Sequence, residues 1–282
     1  MIEPTLPNAA ETPPPIPVFR RTPRWRWWIH LFLIGIYPAL GLFVRLGTGH
    51  FAPGPALSGN ARGLLFVSGF ELLLFSIFFG LAWLSSHASR EQLMLPWRPG
   101  WWVVPLGAVY SIALRIGLVV VAVGVVALLA ATQTITPEKV QQYVDANRPA
   151  VEVLVSVSAM RNNPTYFWLT VTLVSFIVAG LREEMWRGGT LAAMRVLWPG
   201  IFDSRRGQLF AITLIAAAFG AMHFRMGVLA AVGAGILGLF LGLIMVLHRS
   251  IWPAVIAHGF FDATTMAVLP WWIEKARQLH GP

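Results

Sequence analysis

Seven apolar stretches, each approaching the ~20 residues that a helix needs to cross ~30 Å of hydrocarbon, leave this chain little room for any other architecture. They lie at about Trp27–Leu46, Leu64–Leu84, Trp101–Ala131, Tyr166–Leu181, Leu209–Phe224, Val228–Leu247 and Ile251–Trp272. Of 282 residues, 56% are hydrophobic and only 12% charged, and the mean hydropathy is +0.66. No soluble domain of this length has that balance. Several of the 13 Trp flank the apolar runs, where an interfacial aromatic belt sits. The expected fold class is all-α: a polytopic membrane bundle of about seven transmembrane helices.

The net charge of +9 does not point to nucleic acid. The basic residues gather beside apolar segments instead of forming an amphipathic stripe, as membrane orientation requires. With no Cys in the chain, disulfides, thiolate metal sites and a cysteine nucleophile are excluded. Residues 1–24 are rich in Pro and lack apolar periodicity, which predicts a disordered tail ahead of a transmembrane domain over 25–282. Arg20, Arg21, Arg24 and Arg26 directly precede the first span and place the N-terminus in the cytoplasm. The polar segment Thr132–Pro164 then falls outside, with a short interfacial helix expected from Pro137 to Asn147.

Ionisable residues within apolar stretches cost several kcal/mol unless paired or hydrated, so they mark functional candidates. Glu71 and Arg115, in the second and third spans, are candidates to pair with each other. His30, Arg45 and His248 lie near span ends, where they can snorkel; His50, His87 and His280 read as loop residues. Glu183 and Glu184 stand side by side at the end of the fourth apolar run, in a chain with 12 acidic residues altogether.

If that helix continues until Pro199-Gly200 and the chain turns near Asp203, then Glu183 and His223 are equally far from the turn. In an antiparallel hairpin they would share one depth and could face each other. His258 and Asp262, one turn apart, share a face of the last span. A carboxylate and an imidazole at one depth can deprotonate a water together. A second His can stabilise the oxyanion of a tetrahedral intermediate. Two His and a carboxylate (Glu183, His223, His258) are also an open zinc set, although no HExxH helix is present. No G-x-S-x-G and no GxxxxGK[ST] loop occurs, which disfavours serine nucleophiles and NTP hydrolysis.

The ordered set Glu183-Glu184…Arg187, Phe219-x-x-x-His223 and His258-x-x-x-Asp262 resembles the CPBP family of intramembrane proteases. That family contains CAAX prenyl endopeptidases and bacteriocin-processing or self-immunity proteins. The resemblance spans Leu181 to Asp262 and suggests a protease-like core at about 164–272. It implies peptide-bond hydrolysis by water activated by a Glu and a His, with Glu183, Glu184, His223, His258 and Asp262 catalytic. Arg187 and Phe219 would support the site. No cofactor is required on this reading, with zinc the alternative. The substrate would be a membrane-embedded or lipid-anchored peptide in contact with the bilayer, the setting a bacterial inner membrane.

One departure is visible: two residues, not the family's usual three, separate Glu184 from Arg187. A Glu183–Arg187 salt bridge at i, i+4 would leave Glu184 as the free base, whereas depth and order favour Glu183. Two other functions fit intramembrane charges: a non-catalytic immunity or partner-binding protein of the same fold, and a proton-coupled transporter.

Overall fold

The computed structural model describes residues 22–47, 57–132, 136–146 and 150–280. The expected disordered tail up to residue 21, most of the first Gly/Pro-rich loop with His50, and the side chain of Arg45 lie outside the described residues. The described residues are helical, with no strand. The long helices are α1 (Arg24–Gly47), α2 (Ala61–Ser86) and α3 (Val103–Ala131), then, after two short helices, α4 (Pro137–Ala146) and α5 (Val157–Asn162), α6 (Pro164–Leu197). They continue with α7 (Arg205–Met222), α8 (Val228–His248) and α9 (Trp252–His280).

A long helix occupies each of the seven expected stretches. Among the described residues four are long and apolar enough to cross a membrane: Ala61–Ser86, Gly100–Ala131, Pro164–Leu197 and Val228–His248. Of the other three, α7 and α9 carry polar or charged residues in their spans. In α9 these include His258 and Asp262, so its lower apolarity reflects the cluster it supports. The last helix also runs beyond the expected end at Trp272 and takes in His280, which is therefore helical and not in a loop.

Local signals set the boundaries. Asn163 accepts a hydrogen bond from the N–H of Tyr166 and starts α6 with Pro164 in its first turn. At the other end Trp198 leaves helical geometry, Pro199 opens a single turn to Phe202, and Ser204 caps α7 through the N–H of Gly207. The expected turn around Asp203 is present. Between its ends α6 departs from ordinary winding: Thr170–Leu181 is a π-helix. The Ser175 hydroxyl follows the wider turn and donates to the Thr170 carbonyl, five residues back, at 3.0 Å.

That π-wound segment packs most extensively against α9. Gly180 makes the approach possible: a Cβ there would lie 3.0 Å from the Val255 carbonyl oxygen and 3.6 Å from the Gly259 nitrogen. Small residues at helix crossings are the usual means of close association in lipid, where hydrophobic burial gives little drive. α3 also packs on α9, α8 packs on α7, and α1 packs on α2 and the C-terminal half of α6. The principal core runs through Trp27, Phe79, Leu191, Phe219, Leu241 and Val255. Outward-facing residues such as Val119, Val120, Val123 and Leu128 of α3 remain exposed, the pattern of a lipid-facing surface.

Gly180→Val places branched atoms against backbone that cannot yield, and overpacking of this kind costs about 1–3 kcal/mol. Denaturant unfolding in micelles should show that loss. Gly233→Ala in α8, where a Cβ meets nothing within 4 Å, should leave stability unchanged or slightly raised.

Candidate active site

Three helices bring the singled-out polar residues together. Glu184 lies in the first α-turn after the π-wound segment, and its carboxylate is completely buried. It is paired with the guanidinium of Arg187, itself 1% exposed, and accepts a hydrogen bond from Nδ1 of His258 at 3.1 Å. The sequence-based expectation of a Glu183–Arg187 bridge is therefore corrected: the pair forms at i, i+3, through Glu184. Both spacings are sterically open on a helix, and the deciding factor is that Glu184 faces α9. Arg187 also lies over the Phe219 ring of α7, 4.0 Å from its centroid, with Gly238 of α8 beside it.

On the other edge of the imidazole, Nε2 of His258 is 3.5 Å from Asp262 Oδ2 and 3.9 Å from Glu183 Oε2. The shared face of His258 and Asp262 is thus present, and His258 is enclosed by three carboxylates. Two of these are accessible, Glu183 at 18% and Asp262 at 25% side-chain exposure, while Glu184 is sealed. The arrangement separates a locked inner carboxylate from reachable outer ones.

His223 takes the C-terminal cap position of α7. Its Nδ1 donates to the Phe219 carbonyl at 2.8 Å, which leaves Nε2 as the nitrogen free to accept a proton. Among the described residues it forms no hydrogen bond or ion pair with Glu183, so the equal-depth argument does not yield a direct contact. The ring instead lies tilted with its centroid 4.4 Å from that of Phe219, which also neighbours His258 and Arg187, and His223 lies within electrostatic reach of Asp262.

Sequence reasoning missed a second layer. Arg182 joins Glu183 Oε1 at 3.1 Å to Glu71 Oε2 at 2.8 Å, and also donates to the hydroxyl of Tyr37 at 3.3 Å. Glu71 therefore pairs with Arg182, not with Arg115 as expected. Arg115 reaches α9 instead, donating to the Phe261 carbonyl at 2.6 Å and to Thr264. The signal available was Arg182 itself, a cation directly preceding the acidic pair. His30, expected to snorkel, is fully buried; its Nε2 lies 3.2 Å from the Gly189 carbonyl and its Nδ1 3.0 Å from Ser86 Oγ. His248 meets the Tyr110 hydroxyl at 2.8 Å.

Of the alternative zinc set, Glu183 and His258 come together, 3.9 Å apart, whereas His223 forms no hydrogen bond or ion pair with either among the described residues. Among the described residues no group of three or more His, Asp or Glu is arranged to hold a metal ion.

Residues 164–264 match the family model described as type II CAAX prenyl endopeptidase Rce1-like. This segment is similar to that family's domain. The Rce1-like match covers a little over a third of the chain and contains every motif residue from Glu183 to Asp262. The family it resembles is a protease family. Comparison with curated proteins and with solved structures found no match. The second layer straddles the boundary of the Rce1-like segment, because Tyr37 and Glu71 lie outside it.

Removing one partner of a buried ion pair strands the other, at a cost of about 3–5 kcal/mol. Glu184→Leu and Arg187→Met should each lose that order of stability in denaturant unfolding. The double variant should be more stable than either single one, the non-additivity that reports a direct pair.

Proposed function

We propose that the chain is an intramembrane endopeptidase that hydrolyses a peptide bond of a membrane-embedded or lipid-anchored substrate, with Glu183 as general base. The observation that carries this reading is the division among the carboxylates around His258. Glu184 is consumed by Arg187 and His258, whereas Glu183 keeps Oε2 directed toward the accessible side of the imidazole. A base must reach both water and substrate, and Glu183 is the member of the acidic pair that can.

Glu183 Oε2 takes a proton from water as the water oxygen bonds to the scissile carbonyl carbon. His223 keeps Nε2 available as a second proton acceptor, with no hydrogen-bond donor to it among the described residues. The oxyanion forms beside Nε2 of His258, which Asp262 and Glu184 hold in place from either edge. Collapse of the intermediate breaks the C–N bond, and the proton on Glu183 passes to the leaving amine.

Among the described residues the cluster sets four carboxylates (Glu71, Glu183, Glu184, Asp262) against three guanidinium groups (Arg115, Arg182, Arg187). One additional proton makes it neutral, so a proton can be retained near the reacting bond without a net buried charge. Arg182 acts as a positioning residue: it fixes Oε1 of Glu183 and is itself fixed by Glu71 and Tyr37. Convergence on a single imidazole, in place of carboxylates strung along a path, favours hydrolysis over a proton relay. The proposed mechanism needs no metal. We place the N-terminus in the cytoplasm of a bacterial cell, with the protein in its inner membrane.

Cleavage of a panel of membrane-anchored peptides by detergent-purified protein tests the reading. Glu183→Gln should lower kcat by about 10²–10⁴, the usual contribution of a general base, with unfolding stability retained. His223→Ala should fall in the same direction, and a chelator should have no effect. Undiminished cleavage by Glu183→Gln would overturn the assignment of the base.

The same peptides test the second layer. Arg182→Gln and Glu71→Gln should each lower kcat with little change in KM, and Arg182→Lys should restore part of it. A merely structural role would instead lower the amount of folded protein and leave its kcat intact.

A further inference from the structure

Away from the catalytic cluster, a cleft of about 770 Å³ opens between α3, α8 and the first turn of α7. Its walls are apolar, formed by Leu114, Phe240, Leu243 and Leu247 among others. Its mouth is basic, with Arg205 and Arg249 at the lining and Gln208 between the α7 turn and the wall. Asp203 also borders it, but its carboxylate accepts from Arg195 at 3.0 Å. Arg205 and Arg249 are exposed and have no ion-pair partner among the described residues. The first turn of α7 adds backbone N–H groups and the positive end of an 18-residue helix.

We infer that this cleft binds one anionic phospholipid. The phosphodiester sits between Arg205, Arg249 and the α7 N-terminus, and an acyl chain lies along Leu243, Leu247 and Phe240. Each half of the site excludes a simpler occupant. A small soluble anion would use the arginines but has no need of a deep apolar wall. A neutral lipid would use the wall but gains nothing from two uncompensated guanidinium groups, the strong partners of phosphate. Basic residues at span ends commonly reflect membrane orientation alone. Here, however, they flank the opening of an apolar cleft between two helices, α3 and α8, that pack sparsely on each other. The site is separate from the proposed peptide hydrolysis, so its test reads lipid binding and does not depend on cleavage.

The purified full chain would be titrated with phosphatidylglycerol, with phosphatidylcholine of the same chains, and with glycerol 3-phosphate. Binding would be read by thermal shift and by native mass spectrometry. Saturable stabilisation by phosphatidylglycerol is expected, with no comparable effect of the other two. Arg205→Gln combined with Arg249→Gln should weaken that binding about tenfold or more, as loss of charge-assisted contacts implies. Ala113→Trp should weaken it as well, because Ala113 is an exposed small residue of the cleft wall and its replacement fills the chain slot with both arginines kept. Arg206→Gln, adjacent and exposed but outside the lining, should bind as wild type does. Equal stabilisation by phosphatidylcholine or by glycerol 3-phosphate would overturn the site. So would an Arg206→Gln loss as large as that of the Arg205/Arg249 pair.

Discussion

The ion pair between Glu184 and Arg187 is the interaction on which the rest of the structure depends. In a medium with no water to solvate it, an unpaired charge at either position would be prohibitive. The pair also reaches well beyond its own helix. Glu184 holds His258 of α9, and Arg187 covers Phe219 of α7 next to Gly238 of α8. Four helices are therefore positioned by one neutralisation, and none can shift far without exposing a charge to hydrocarbon.

Around that centre the charges form two shells with different physical roles. The inner one is sealed and gives His258 a fixed orientation. The outer one is partly open, and Arg182 ties its accessible carboxylate, Glu183, to Glu71 on α2. On the proposed function, groups that are already balanced need little reorganisation when charge develops on a substrate. The π-wound stretch and the glycine crossing at Gly180 serve the same end, because they bring α9 close enough for its imidazole to reach Glu184.

Much of this was legible in the sequence, and the failures have a common cause. Apolar stretches of span length located the long helices, and Pro199-Gly200 marked the hairpin turn near Asp203 because these signals are local. The His258–Asp262 relation, fixed by a single helical turn, was also readable. Pairings between helices were not. Glu71 and Arg115 are both intramembrane charges, but α2 packs beside α1 and α6 whereas α3 packs on α9, a fact of tertiary arrangement. The choice between Glu183 and Glu184 for Arg187 turned on which side of α6 meets α9. Spacing alone carries no such information. Equal distance from a turn likewise gives depth but not rotation, and the rotation of His223 at the end of α7 directs Nδ1 to the Phe219 carbonyl.

The contribution of the first two helices bears on how such a domain can be transplanted. The Rce1-like segment holds all the motif residues, but its Arg182 is neutralised partly by Glu71, and its Gly189 carbonyl is met by His30. Grafted onto another scaffold, or recombined between relatives, residues 164–264 would arrive with a guanidinium short of a counterion. The early helices are thus not interchangeable packaging. Recombination across this boundary would succeed only where the donor of the first part brings a carboxylate at the level of Glu71, which makes the two portions of the chain one unit of inheritance.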